Sequence, residues 1–164
     1  MHQIILIAHN VRSTHNVGSL LRTAEGLGIN KVYLTGYTPY PEIEDDARLP
    51  HIARKLTDQI HKTALDAESL VPWEHNENIF NIIEKLRDEG YTISAVEQKE
   101  GSIELPEYTP PTKLVVIVGR EVEGIELEVL EQCDTILEIP MFGQKESFNV
   151  VQAAAMVLYH CRFS

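Results

Sequence analysis

A run of apolar residues constrains the fold of this chain more than any other feature. Residues 113–118 read KLVVIV, with five apolar residues after a single lysine. A strand that is apolar at every position is typical of a parallel sheet covered on both faces. A second such run, QIILIA, occupies residues 3–8. The chain is therefore expected to contain a buried sheet with a layer on each side.

Helical patterns separate the predicted strands. In residues 76–89, Ile79, Ile82, Ile83 and Leu86 share one helical face, and Gly90 follows as a stop signal. Because strands alternate with helices, we predict an α/β fold, a single-domain, mostly parallel sheet with helices on both faces. Beyond the two apolar runs, strands are predicted at 31–34, 91–96 and 135–139, and helices at 16–27, 52–61, 76–89, 126–132 and 148–161.

The chain is strongly acidic, and its charge is uneven. The net charge of -11 argues against a general nucleic-acid binder, because non-specific affinity comes from Lys and Arg on phosphates. An acidic run is followed at once by a basic run. This pattern has two interpretations: a solvated helix face, or a basic edge beside an active site. The acidic residues are Glu42, Glu44, Asp45 and Asp46, and the basic ones are Arg48, His51, Arg54, Lys55, His61 and Lys62.

Membrane and metal signals are lacking in the sequence. No run approaches the ~18 apolar residues of a membrane span, and no leader pattern opens the chain. We expect a soluble, cytoplasmic protein. Cys133 and Cys161 have no CxxC or Cys/His spacing, so no metal site is predicted and the thiols are expected to be reduced and inert.

A polar loop follows the first strand and leads into a helix. Residues 9–22 read HNVRSTHNVGSLLR, with Asn16 as the predicted N-cap and Arg22 further along the same helix. The two side chains can reach one side of the sheet edge and bind an anionic or hydroxyl-bearing substrate. A plain cap and a surface arginine explain them equally well. Gly18, costly inside a helix by about 1 kcal/mol, is expected to allow close approach of a ligand.

Two further segments combine polar and small residues. Residues 119–124, GREVEG, follow the buried strand, where glycines let main-chain amides face a ligand at the sheet edge. They lack the P-loop and GxGxxG patterns, and a plain glycine turn is the alternative. Residues 139–149, IPMFGQKESFN, enter an apolar helix with Ser147 as the expected N-cap. The alanines at 153–155 suit either core packing or a homodimer interface.

Together the three segments resemble the SpoU/TrmH family of the SPOUT superfamily, which methylates ribose 2′-oxygens of RNA. They occur in the family's order and near its spacing, over almost the whole chain. The matching residues are Asn16, Ser19 and Arg22, then Gly119, Glu121 and Gly124, then Pro140, Met141, Gly143, Ser147, Phe148, Asn149 and Val150.

The resemblance implies a C-terminal deep trefoil knot whose loops hold S-adenosyl-L-methionine. It also implies a homodimer through the C-terminal helix region, with the catalytic arginine of one subunit near the cofactor of the other. The implied catalytic and orienting residues are Arg22, Asn16, Glu121, Ser147 and Asn149. The implied cofactor-binding residues are Val96, Glu97, Gly119, Glu121, Gly124, Ile139, Met141, Ser147 and Phe148.

Many relatives carry an added RNA-binding domain, whereas residues 1–164 are expected to form one methyltransferase domain without a separate one. Capture of a tRNA or rRNA substrate is then expected from Arg12, Arg48, Arg54, Lys55 and Lys62. The main alternative is a catalytically inactive RNA-binding module with the same fold. A nucleotide-binding α/β enzyme of another class is a second alternative, although its diagnostic loops are absent.

Overall fold

A computed structural model describes residues 1–164 as one seven-stranded sheet flanked by helices. The strand order is β3-β2-β1-β6-β4-β7-β5, and every neighbouring pair is parallel. The predicted α/β class is therefore confirmed, with a sheet that is parallel throughout. The strands are β1 (Gln3–His9), β2 (Lys31–Thr35), β3 (Trp73–Asn76), β4 (Thr92–Val96), β5 (Ile103–Glu104), β6 (Lys113–Val118) and β7 (Thr135–Glu138).

Helices cover both faces of the sheet, as predicted. One face packs against α1, α2 and α5, and the other against α3 and α4. None of these helices combines the length and the apolar composition that a membrane crossing requires. The helices are α1 (Thr14–Gly26), α2 (Pro50–Ala64), α3 (Ile79–Asp88), α4 (Leu127–Leu130) and α5 (Val150–Phe163), with short 3₁₀ turns at Ala67–Ser69 and Leu105–Glu107.

The central strands bury their side chains in two separate cores. In β1, Leu6 belongs to the core beneath α1 and α5, whereas Ile5 and Ile7 belong to the core beneath α3 and α4. Successive side chains of a strand point to opposite faces, so both faces need apolar residues. Each fully buried aliphatic side chain stabilises the fold by about 1.5–3 kcal/mol. The apolar runs of β1 and β6 are thus explained by burial on both faces.

The caps of two helices differ from the predictions. Ser13, not Asn16, caps α1, because the Ser13 hydroxyl accepts a hydrogen bond from the Asn16 amide at 3.2 Å. Asn149, not Ser147, caps α5, since its Oδ1 accepts from the Val151 amide at 2.8 Å. Both predictions were wrong by a few residues. The outcome leaves the side chains of Asn16 and Ser147 without a capping role.

The two edge strands were not predicted. β3 has the sequence WEHN, which lacks the apolar alternation of a strand, yet it pairs with β2 from Val32 to Thr35. Residue 76 was expected in a helix, but α3 begins only at Ile79. Asn78 is its N-cap, since the Asn78 side chain accepts a hydrogen bond from the Phe80 amide at 3.0 Å. β5 contains only two residues. Edge strands of this length carry too little pattern to be recognised.

Gly18 serves helix packing rather than ligand approach. A Cβ at this position would lie 2.1 Å from Thr63 Oγ1 and 2.2 Å from the Ile60 carbonyl oxygen. Thr63 also donates a hydrogen bond to the His15 carbonyl at 2.7 Å. The expectation of a ligand at Gly18 was therefore wrong, and its missing side chain lets α2 approach α1.

Candidate active site

A cavity of about 280 Å³ opens at the carboxyl ends of β4, β6 and β7. The order β6-β4-β7 makes these strands neighbours, so the loops that follow them meet at one edge of the sheet. The structure brings eight of the nine expected cofactor-binding residues to its wall, while Met141 is not among the lining residues. The eight are Val96, Glu97, Gly119, Glu121, Gly124, Ile139, Ser147 and Phe148.

Apolar residues outside the expected cofactor-binding set also line the wall. Val118 ends β6, Leu137 lies in β7, and Val150 and Ala153 stand three residues apart on α5. Their positions could have been inferred, because they directly adjoin the predicted loops and residues at i and i+3 share a helix face. The small side chain of Ala153 leaves room for a ligand beside the helix. The cavity thus has polar loops around an apolar surface.

Gly124 shapes the loop that follows β6. Its backbone is left-handed, with φ of 71°, and a Cβ would lie 2.2 Å from Glu97 Oε2. Arg120 Nε donates to the Gly124 carbonyl at 2.9 Å and closes the turn. Glu97 in turn accepts from the Ile125 amide at 3.0 Å and from the Gln98 amide at 2.9 Å. Glu97 therefore anchors this loop to the end of β4.

Asn16 and Glu121 join two of the sequence segments. Asn16 Nδ2 donates to Glu121 Oε1 at 3.2 Å, across 105 residues of sequence. The contact is possible because Ser13 caps α1 and leaves the Asn16 side chain free. Glu121 lies on the cavity wall, so Asn16 reaches the site through it.

Arg22 and Asn149 lie outside the cavity wall. Arg22 is exposed on α1, forms no hydrogen bond or ion pair within the chain, and is not a lining residue. Asn149 uses its side-chain oxygen to cap α5. One copy of the chain therefore gathers Asn16, Glu121 and Ser147 around the cavity but not Arg22.

A largely buried polar network links the end of β1 to Glu126, directly after the loop that follows β6. His9 Nδ1 is 2.9 Å from Thr35 Oγ1, and Glu126 Oε1 accepts from Asn10 Nδ2 at 2.7 Å. Glu126 Oε2 lies 3.2 Å from His9 Nε2 but not in hydrogen-bonding geometry. Burial lowers the pKa of His9 more than Glu126 raises it. Burial raises the pKa of Glu126, but hydrogen bonds, including that from Asn10, outweigh it and leave the pKa lowered.

The network was not foreseen from the sequence. His9 and Asn10 stand directly after a predicted strand, which is a signal for a polar edge residue. Their partner Glu126 is 116 residues away from Asn10. Such a long-range pairing has no local signature.

Four of the five expected RNA-binding residues are exposed. Arg12 lies before α1, while Arg54, Lys55 and Lys62 are exposed on α2. Residues seven apart on a helix lie on one side, so Lys55 and Lys62 share one side of α2, with Asp58 between them. We call Arg54, Lys55 and Lys62 the basic face of α2. Arg12 also lies over the Tyr37 ring, 5.6 Å from its centroid.

Arg48 departs from this expectation. Its Nη2 is 2.6 Å from Asp46 Oδ2, its Nη1 donates to the Tyr40 carbonyl at 2.8 Å, and its guanidinium lies 3.6 Å from the Tyr40 ring centroid. Only 18% of the side chain is exposed. These contacts of the guanidinium hold the loop between β2 and α2 in place. Arg48 is therefore left out of the proposed RNA-binding residues.

Cys133 is half-buried and Cys161 is buried. Burial raises the pKa of Cys133 to about 12, and burial likewise raises the pKa of Cys161 to about 12. A thiol that stays protonated at neutral pH is a poor nucleophile and metal ligand. That neither cysteine is reactive stays a prediction.

Comparison with known proteins identifies the family. A model of the SpoU rRNA Methylase family matches residues 3–159. A TrmH family tRNA/rRNA methyltransferase of Staphylococcus saprophyticus is 32% identical over 155 residues, covering 94% of this chain and 56% of the relative. A tRNA (guanosine(18)-2′-O)-methyltransferase of Aquifex aeolicus is 29% identical over 164 residues, covering 97% of this chain and 68% of the relative.

The fold has a solved counterpart. The AdoMet-bound rRNA methyltransferase from Sinorhizobium meliloti superimposes with a TM-score of 0.83 at 20% identity, covering 99% of this chain and 58% of that one. The chain thus spans between 56% and 68% of the lengths of these three relatives. The family model extends over all three sequence segments, of which the second and third line the cavity and the first reaches it through the hydrogen bond between Asn16 and Glu121. On this evidence the chain belongs to the SpoU rRNA Methylase family.

Proposed function

We propose that this chain transfers a methyl group from S-adenosyl-L-methionine to a ribose 2′-hydroxyl of tRNA or rRNA. The observation that carries the proposal is the single cavity around which segments of the family pattern converge. The relatives named above are tRNA and rRNA methyltransferases, and one of them is named for 2′-O-methylation. Residues 1–164 would act as one methyltransferase domain. The cytoplasm, where tRNA and rRNA are found, is the proposed location.

The cavity residues suit this cofactor. Leu137, Ile139 and Val150 offer an apolar surface that a planar base can pack on. A Cβ at Gly119 would lie 2.5 Å from Ile125 Cγ1, and one at Gly124 would collide with Glu97, so the loop follows this path only with glycine at these two positions. The volume of about 280 Å³ is near the lower end of small-molecule pockets, which begin at about 300 Å³.

Arg22 is the proposed catalytic residue. When bound, S-adenosylmethionine supplies an electrophilic methyl group for attack by the ribose oxygen. An arginine side chain stays protonated in proteins, so it is a poor general base. Arg22 instead favours loss of the hydroxyl proton by placing a positive charge beside the developing oxyanion. An RNA phosphate is proposed to share that proton.

The other polar residues are proposed to orient the reactants. Asn16 holds Glu121 at the cavity rim through their 3.2 Å hydrogen bond. Ser147 lies in the wall with a hydroxyl that forms no hydrogen bond within the chain, and Asn149 fixes the start of α5 beside it. Alignment of two reactants can remove several kcal/mol from a barrier, about 7–11 in well-oriented model reactions.

A homodimer and a knot complete the proposal. The exposed position of Arg22, outside the wall of its own cavity, supports its action in the site of a partner subunit. Tyr159 and Phe163 of α5 are 61% and 66% exposed, which supports an interface at the C-terminal helix. The deep trefoil knot is supported by β7, which lies between β4 and β5 although it follows both in the chain.

RNA is proposed to contact the basic face of α2 and the loop before α1. Arg12, Arg54, Lys55 and Lys62 supply positive charge there, in a molecule whose net charge is -11. Local contacts of this kind position RNA through its phosphates.

Incubation with radiolabelled S-adenosylmethionine and total bacterial RNA tests the proposal. Transfer of label to RNA is the expected result. A protein that retains RNA in a filter-binding assay but transfers no label would refute the proposed enzyme activity. That result would favour the alternative, a catalytically inactive RNA-binding module.

A further inference from the structure

Asn10 lies where three loops of the site meet. It follows β1 directly, and its backbone is left-handed with φ of 54°, a region that asparagine enters more readily than most residues. Its side chain is half-buried. Asn10 lies in the first of the three segments but is not among the residues that match the family pattern, and the proposed chemistry gives it no role.

The first contacts of Asn10 fix the loop between β2 and α2, residues 36–49. Its Oδ1 accepts a hydrogen bond from the Tyr37 amide at 3.0 Å. Gly36 packs so closely, with φ of 64°, that a Cβ there would lie 1.8 Å from Asn10 Oδ1. We call residues 36–49 the substrate-side loop, because it leads to the basic helix α2 and carries Tyr37, over which Arg12 lies.

The other end of the Asn10 amide holds the cofactor loop, residues 119–126. Asn10 Nδ2 donates to Glu126 Oε1 at 2.7 Å. The same carboxylate oxygen lies 3.7 Å from Arg120 Nε, which closes the turn at Gly124. A hydrogen bond to an ionised acceptor is about twice as strong as one between neutral groups. One amide group therefore connects the cavity wall to the substrate-side loop.

We infer that Asn10 is a positioning residue that couples the cofactor loop to the substrate-side loop through its hydrogen bonds to Glu126 and Tyr37. The inference rests on the proposed function, since it requires a cofactor in the cavity. A ligand that orders the cofactor loop also favours the observed placement of Glu126, and through Asn10 that of Tyr37. Such coupling is reciprocal. If the bound cofactor raises the affinity for RNA by some factor, RNA bound at the substrate-side loop raises the affinity for the cofactor by the same factor.

A donor-acceptor swap isolates this hydrogen bond. Asn10→Asp keeps a residue that tolerates the left-handed backbone, but it sets a second carboxylate against Glu126. Adding Glu126→Gln restores the bond in reverse, because the new amide donates to the new carboxylate. Asn81→Asp is the matched control, since Asn81 is exposed on α3, forms no side-chain hydrogen bond and undergoes the same change of charge.

Calorimetric titration with S-adenosylhomocysteine measures the affinity, and amide hydrogen exchange with and without that ligand measures the coupling. In the wild type and the Asn81→Asp control, the ligand should protect both the cofactor loop and the amides of residues 36–40. In Asn10→Asp, binding should weaken by about tenfold, and the remaining protection should stay within the cofactor loop. The double variant should recover most of the affinity and the protection at residues 36–40.

Two outcomes would overturn the coupling. One is wild-type protection that stops at the cofactor loop, and the other is a double variant that binds no better than Asn10→Asp. A wild-type protein that fails to bind S-adenosylhomocysteine would instead refute the proposed function on which the coupling rests. Circular dichroism verifies that each variant is folded before the titration.

Discussion

Single residues set the shape of the cavity, and Gly124 does so most directly. Its left-handed backbone places its Cα against the Glu97 carboxylate, which itself anchors the loop. The glycine pattern of residues 119–124 was visible in the sequence as a turn at a sheet edge. Its partner Glu97 was expected in the cofactor set only through the family resemblance, and the contact between them depends on two loops that are distant in sequence.

Replacing Gly124 by alanine should weaken cofactor binding. The added Cβ would lie 2.2 Å from Glu97 Oε2, so the carboxylate must move and release the Ile125 amide. Gly90→Ala is the matched control, because Gly90 also has a left-handed backbone, with φ of 88°, but nothing lies within 4 Å of a Cβ there. The control should lose only the backbone preference, about 1 kcal/mol in the free energy of unfolding.

Urea unfolding and titration with S-adenosylhomocysteine check this prediction. Gly124→Ala should lose more stability than Gly90→Ala and should bind at least about tenfold more weakly, the effect of losing one charged hydrogen bond. Equal ligand affinity in the two variants would show that the Glu97 anchor does not shape the cavity.

Replacing Arg22 by alanine should reduce methyl transfer by at least about a hundredfold, the effect of removing one electrostatic donor from a site. Cofactor affinity should stay nearly unchanged, because Arg22 is proposed to act on the ribose hydroxyl and does not line the cavity of its own chain. Single-turnover rates and calorimetric titration separate the two effects. Retained turnover in Arg22→Ala would remove Arg22 from the proposed mechanism.

At the scale of elements, the packing of α2 on α1 determines where the basic face lies. Gly18 permits the approach, and Thr63 fixes it by donating to the His15 carbonyl. The helical periodicity of α1 was evident in the sequence. The contact was not, because a glycine within a helix looks the same whether a ligand or another helix fills the space beside it.

Gly18→Ala should destabilise the protein, whereas Gly26→Ala in the same helix should not. A Cβ at Gly18 meets the backbone oxygen of Ile60 at 2.2 Å, while one at Gly26 meets nothing within 4 Å. Overpacking of this kind costs about 1–3 kcal/mol, whereas relief of a helical glycine gains up to about 1 kcal/mol. The free energy of unfolding in urea compares the two variants, and equal effects would contradict the assigned role of Gly18.

The strands that were predicted from the sequence are the buried ones. β1 and β6 were recognised because both faces are buried and their sequences are apolar throughout. β3 and β5 lie at the edges of the sheet and carry half-buried or exposed residues, so no apolar pattern marks them. The two helix caps were predicted at the wrong residues because each helix start offers two good capping residues close together. These are Ser13 and Asn16 for α1, and Ser147 and Asn149 for α5.

For the whole molecule, charge is the main obstacle to RNA binding. With a net charge of -11, the protein repels RNA except where positive charge is concentrated. RNA affinity should therefore fall steeply with salt. Lys62→Gln should lower the slope of log affinity against log salt by about 0.7–0.9, the value for one phosphate contact. Lys85→Gln, on the opposite layer at α3, should leave the slope unchanged in filter-binding titrations, and equal slopes in both variants would exclude Lys62 as a phosphate contact.

The dimer proposal predicts that Arg22→Ala and Gly124→Ala complement each other at a cofactor concentration too low for the Gly124→Ala cavity to bind. If Arg22 serves the partner's site, a heterodimer of Arg22→Ala with Gly124→Ala contains one site with both an intact cavity and an intact arginine. Random mixing of equal amounts should then restore about a quarter of wild-type turnover. No recovery after subunit exchange, verified by mass spectrometry, would place Arg22 in the site of its own chain.

Methylation of the ribose, rather than of a base, leaves a direct chemical trace in the RNA. Alkali cleaves RNA through the 2′-hydroxyl, so a methylated ribose protects the following phosphodiester bond and leaves a dinucleotide. We predict that RNA labelled by this protein with radioactive S-adenosylmethionine releases its label in alkali-resistant dinucleotides. Label in mononucleotides would indicate base methylation and would contradict the account.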